Sequence, residues 1–212
     1  MRIHLTRIQF LCHLLCLLPL IFLIYNAFLH QLTVNPIREI SIRTGRTAIT
    51  ILLLSLFCTP LNTLLGLNSF LSIRRATGLY AAFYAMLHFV NFIGLDYSFT
   101  WGELLGVILR QTSLIIGLTA LILLVPLAIT SINIFKKWLG KWWKKLHRII
   151  YLVMLLTILH FFLEIRADFL LPKIYLFIFF ILMVLRIPYF SRLKINLSVF
   201  TKINLFFNKN LF

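Results

Sequence analysis

The sequence predicts an all-α fold, a polytopic bundle of six transmembrane helices with both termini in the cytoplasm. Two observations set the fold class. The 212-residue chain is 61% hydrophobic and 12% charged, with a mean hydropathy of +0.99. A soluble domain of this size cannot bury that much apolar surface. Its apolar runs also approach the ~20 residues that cross a bilayer, and a helix satisfies its own backbone there. The one-sided placement of Lys and Arg sets the orientation.

The first run follows Arg2 and Arg7, as in a signal peptide. It continues from Ile8 to about Leu29 without an A-x-A site, so it reads as an uncleaved span. Further spans are expected at about 47–67, 77–95, 113–134, 148–164 and 171–189. Pro60 and Pro126 fall inside spans, where proline is better tolerated than in soluble helices. Short polar segments such as "HQLTVNPIREISIRTGR" and "SINIFKKWLGKWWKKLH" separate them. No internal repeat and no low-complexity linker stands out. Residues 1–190 therefore read as one six-helix domain. The tail at 191–212 is too polar to span and reads as a cytoplasmic, interfacial amphipathic helix, with a docking surface for a cytosolic partner as the alternative.

With the N-terminus in the cytoplasm, most of the 21 basic residues fall inside and all five acids (Glu39, Asp96, Glu103, Glu164, Asp168) fall outside. The net charge of +16 is then a topology feature that meets anionic membrane lipids, and nucleic acid binding is not expected. Cys12, Cys16 and Cys58 all lie in apolar runs, so they read as small apolar fillers rather than disulfide partners or metal ligands.

Six histidines remain to be explained. His4 and His30 sit at the water-facing ends of the first span. His88 lies eleven residues into the third span, ~17 Å from its cytoplasmic end, and His160 reaches nearly the same depth in the fifth. Ionisable groups at membrane depth are usually functional. Two imidazoles at matched depth suit bis-histidine ligation of a haem iron. Gly78, Ala81 and Ala85 share the His88 face and would leave a slot for a flat macrocycle, or form a stripe for close helix packing. Periodicity alone leaves three readings open: haem ligation, a structural hydrogen bond, and a proton relay in a transporter. His147 sits at the cytoplasmic interface beside Lys144, Lys145 and Arg148. Thirteen residues rotate it about 220° from His160, so the two do not share a face. It would mark an inner redox centre, with His13 as a candidate partner.

At these residues a family resemblance emerges. "NPIREISIRTGRTAI", "RRATGLYAAFYAMLHF", "LAITSINIF" and "LGKWWKKLHRIIYL...ILHFF" resemble the MsrQ (YedZ) family over residues 5–190. These are haem-binding membrane subunits of the bacterial periplasmic methionine sulfoxide reductase system, within the ferric reductase-like transmembrane group. The resemblance implies b-type haem, one or two per chain, in a multi-pass protein of the bacterial inner membrane. It implies electron transfer from the quinone pool or a cytosolic flavin reductase to the periplasmic molybdopterin reductase MsrP. The family's haem-linked histidines match His88, His147 and His160. FMN is also associated with the family, with no residues assignable to it here.

The residues are compatible with such a conduit. No C-x-x-C-H attaches haem covalently, and no G-x-G-x-x-G element binds a nicotinamide cofactor. Substrate chemistry is expected elsewhere, since no carboxylate pair or serine constellation is visible. Arg46 and Arg75 are candidates to hold anionic haem propionates, each on its own side. Trp138, Trp142 and Trp143 read as interface anchors, and Glu103, Glu164 and Asp168 as a docking surface for MsrP. A stand-alone transmembrane ferric or quinone reductase is the enzymatic rival, and a proton-coupled transporter the non-redox one.

Overall fold

A computed structural model describes residues 6–66, 68–165 and 169–187 of the chain. Among the described residues the regular structure is entirely helical. Five helices, or continuous helical stretches, are long and apolar enough to cross a membrane, and a shorter apolar helix follows them. The protein is a multi-pass membrane protein. The expected tail at 191–212 lies outside the described residues.

Helix α1 (Arg7–Phe28) opens with a capping box in which Thr6 and Gln9 satisfy each other's backbone N–H groups. It presents Ile8, Cys12, Cys16, Leu23 and Asn26 inward and leaves much of its remaining apolar surface exposed. All three cysteines are free and buried, as fillers should be. Pro19 removes one rung of the ladder, and the next is bridged from outside. The Tyr84 hydroxyl donates to the Cys16 carbonyl (2.8 Å) and accepts from the Leu20 N–H (3.1 Å). These are the two groups an unbroken helix would join directly.

Helix α2 (Pro36–Leu65) begins eleven residues earlier than the hydropathy suggests. The polar run before the second span is helical because its start is capped. The Asn35 side chain accepts from the Arg38 N–H, Pro36 pre-sets the first turn, and Glu39 pairs with Arg43 one turn on. Gly66 ends α2 in a left-handed conformation (φ 67°). Pro60 deprives the Leu56 carbonyl of its usual donor, and the Arg186 guanidinium supplies one instead while also donating to the Tyr151 hydroxyl.

Helix α3 (Asn68–Asn91) likewise starts earlier than expected, so Arg74 and Arg75 sit within a helix rather than a loop. It runs on into a π turn (Phe92–Asp96). A short helix α4 (Trp101–Arg110), not expected from the sequence, buries Leu104 and Ile108 against Ile93 and exposes its opposite face. Helix α5 (Thr112–Ile129) forms the fourth span. The basic segment folds into α6 (Asn133–Leu139) and α7 (Lys141–Leu146), joined at Gly140 with φ 48°. A 3-10 turn (His147–Ile149) leads to α8 (Ile150–Glu164), and α9 (Leu170–Val184) closes the bundle.

The core lies where α2, α3, α5 and α8 meet. Tyr84, Leu56, Ala81, Val153, Met154 and Ile158 are at most 1% exposed. Helix α2 packs along α3, and α5 along α8, as two hairpins.

Candidate functional site

Each hairpin carries one histidine, and the two histidines face each other across the bundle. Their ring centroids are 6.3 Å apart with the planes at 70°. Matched depth thus becomes contact, and no other imidazoles among the described residues meet in this way.

The two rings are held by the same local device. His88 Nδ1 lies 2.9 Å from the Ser41 carbonyl of α2, and His160 Nδ1 lies 2.7 Å from the Ser113 carbonyl of α5. A carbonyl only accepts, so Nδ1 must carry the hydrogen and the neutral ring keeps its lone pair on Nε2. Neither Nε2 has a hydrogen-bond partner among the described residues. One turn beyond each serine stands a glycine against the ring. A methyl group added at Gly45 would lie 3.2 Å from His88 Nδ1, and one at Gly117 would lie 2.8 Å from His160 Nδ1 and Cε1.

These residues belong to an internal repeat that the sequence reading did not detect. Ser41, Gly45, Thr47 and Ala48 recur 72 positions later as Ser113, Gly117, Thr119 and Ala120. Leu87-His88-Phe89 recurs at the same offset as Leu159-His160-Phe161. Both histidine hydrogen bonds accordingly span 47 residues. The offset joins two generic leucine-rich helices, and only these few polar and small positions betray it.

The ring-centre separation of 6.3 Å matches the spacing of two imidazoles that share one metal ion. Two metal–nitrogen bonds of about 2.0–2.1 Å, with each nitrogen about 1.1 Å from its ring centre, place in-line centroids roughly 6.2 Å apart. Among the described residues no group of three His, Cys, Asp or Glu is placed to hold a metal. His88 and His160 would supply two imidazole nitrogens to a metal, and the rest of its donor set would come from a bound group such as a macrocycle.

The other expected site residues are placed differently. His147 stacks on Trp143 (4.1 Å, 29°), and its Nε2 lies 3.1 Å from the Thr130 hydroxyl. Trp143 Nε1 in turn donates to the Thr130 carbonyl, so the three residues tie α7 to the end of α5. His13 meets Tyr80 rather than His147, with Nδ1 3.0 Å from its hydroxyl. Together with Arg75 they line a cleft of about 600 Å³ between α1 and α3. The Arg75 guanidinium donates to the Asn133 side chain at 3.0 Å. Arg46 is exposed one residue after Gly45. The Gly78–Ala81–Ala85 stripe is a helix-packing surface: Ala81 is in the core, and a methyl at Gly78 would touch Ser55 of α2 at 3.4 Å. Gly45 and Gly117, on the partner helices, are the small residues that face the imidazoles.

Residues 44–158 match the family described as ferric reductase like transmembrane component. The chain is similar to the protein-methionine-sulfoxide reductase heme-binding subunit MsrQ of Rhodospirillum rubrum, with 38% identity over 81% of this chain and 83% of the relative. The subunit of the same name from Caulobacter vibrioides is 33% identical over 86% of this chain and 87% of its own length. That from Herminiimonas arsenicoxydans is 38% identical over 74% and 73%. No solved structure matches the chain.

Proposed function

The chain belongs to the MsrQ family of ferric reductase-like transmembrane proteins, and from that premise we propose that it is a haem b subunit carrying electrons across the bacterial inner membrane. The acceptor in this reading is a periplasmic MsrP-like molybdopterin reductase that repairs methionine sulfoxide in envelope proteins. The donor is the quinone pool or a cytosolic flavin reductase. The observation that carries the reading is the His88–His160 pair, with rings 6.3 Å apart, both Nδ1 atoms engaged and neither Nε2 partnered among the described residues.

His88 and His160 would hold the haem iron from opposite sides. Haem bound there supplies one-electron chemistry without a proton or a bond to substrate. The chain's own residues position it. The Ser41 and Ser113 carbonyls orient the imidazoles and raise their basicity as ligands. Arg46, exposed beside the His88 seat, is available to an anionic haem edge. Arg75 donates one N–H to Asn133 and keeps its other donors for an anion at its own end.

The positive-inside rule orients the path, with α6 and α7 and their five lysines at the cytoplasmic entrance. Glu103 and Glu164 lie on the opposite side, toward the acceptor. His147 would serve an inner centre on the cytoplasmic side; a flavin has no residues assigned to it.

The visible spectrum of the purified chain tests this. A Soret band that sharpens on dithionite reduction is expected, abolished as a low-spin signal in His88→Ala and His160→Ala and partly kept in His147→Ala. Absence of any such band after haem supplementation would sink the redox reading.

A further inference from the structure

Two stretches of this chain, 72 residues apart, treat a histidine in the same way. Here the same four elements recur: a serine carbonyl on Nδ1, a glycine one turn later against the ring, a free Nε2, and the Leu-His-Phe context. The two copies bring their rings to centroids 6.3 Å apart. Repeats related by an axis along the membrane normal place their shared site at the interface between them.

We propose that Gly45 and Gly117 are positioning residues of a duplicated histidine seat. In each copy the bare Cα lets the ring approach the helix that holds its hydrogen bond, and that approach aims Nε2 at the shared metal. This rests on the reading that His88 and His160 ligate haem.

The two seats are not equally tight. At Gly45 an added methyl would lie 3.2 Å from the nearest His88 atom, so the ring gives way by a few tenths of an ångström. At Gly117 the methyl would lie 2.8 Å from two ring atoms and 3.1 Å from a third, so the His160 ring must move. The ring cannot retreat without lengthening its 2.7 Å bond to Ser113. Gly78 is the natural control, since it packs α3 on α2 and touches Ser55 but no imidazole.

The test combines two readouts on the full-length chain in detergent. Haemin titration of apoprotein, followed by absorbance, should show affinity lowered about 10–100-fold in Gly117→Ala, as for the loss of a group that orients a metal ligand. Gly45→Ala should lose less, and Gly78→Ala should bind as wild type. Wild-type affinity and an unchanged low-spin spectrum in folded Gly117→Ala would overturn the seat while leaving haem ligation intact. The second readout needs neither a variant nor haem. Nitrogen-15 NMR of the histidines in wild-type apoprotein should show His88 and His160 protonated on Nδ1 and bare on Nε2. A proton on Nε2 of either ring would overturn the proposal even if the glycine variants fail to fold. A wild-type chain that takes up no haem refutes the haem reading, and the NMR result then decides the seat alone.

Discussion

Arg186 and Pro60 offer a sharp test of how this bundle satisfies its backbone. Leu56 is 1% exposed, and its carbonyl would normally accept from the N–H of residue 60. Proline has no N–H, so the Arg186 guanidinium, arriving from beyond α9, donates in its place. Arg186→Met should therefore strand a buried carbonyl, at a cost of about 1–3 kcal/mol. Losing the contact with the Tyr151 ring, 5.0 Å from the guanidinium, adds about 1 kcal/mol. Pro60→Ala restores the missing donor within α2. In that background Arg186→Met should cost only the Tyr151 part, leaving a coupling of about 1–2 kcal/mol between the two sites. Unfolding of the four proteins in mixed micelles by rising dodecyl sulfate fraction measures the cycle. Additivity within about 0.5 kcal/mol would refute the cap, and Arg186 would then act through Tyr151 alone.

Other outcomes follow from the same contacts. Tyr84→Phe removes the hydroxyl bridging Cys16 and Leu20, and should destabilise the protein by about 1–3 kcal/mol in the same assay, less if the helical rung re-forms. Gly66→Ala forces φ 67° on a residue with a Cβ and should cost about 1 kcal/mol with no effect on the visible spectrum, because no atom stands within 4 Å of the new methyl. A cysteine placed at Glu103 should react with an impermeant thiol reagent in intact cells lacking an outer-membrane barrier. One placed at Lys141 should react only after permeabilisation; the reverse pattern would invert the proposed orientation.

The spans and the pairing of His88 with His160 were legible because both follow from simple periodicities: hydropathy over a bilayer width, and rise per residue along a helix. What escaped was written in local capping and in contacts between helices. The first turns of α2 carry Arg38, Glu39 and Arg43 and read as a loop by hydropathy. Their helicity comes from the Asn35 cap, Pro36 and the Glu39–Arg43 pair. Helix α4 escaped because its apolar face is only Leu104 and Ile108, too short to register as a span. The small-residue stripe beside His88 was visible, but a stripe does not say what it faces. It faces α2, while the glycines that seat the imidazoles lie on α2 and α5. The repeat escaped because its matching positions are few and stand among residues that differ between the two copies.

The repeat also bears on the proposed second redox level, because it is kept at one depth and broken at the other. The offset of 72 that carries His88 onto His160 carries Arg75 onto His147. Where the first level has two imidazoles, the second has one imidazole and one guanidinium. The guanidinium is turned to Asn133 and lines the α1–α3 cleft, and the imidazole is engaged with Thr130 and Trp143. Arginine stays protonated in proteins and does not ligate iron. His13, the remaining candidate, is bonded to Tyr80. Any haem at the His147 level would thus take at most one imidazole from these positions. Electron paramagnetic resonance of fully haem-loaded protein should show one bis-imidazole low-spin species per chain, lost in His88→Ala or His160→Ala and retained in His147→Ala. Two such species, one of them lost in His147→Ala, would mean that a further histidine reaches that level and that the broken symmetry does not limit ligation.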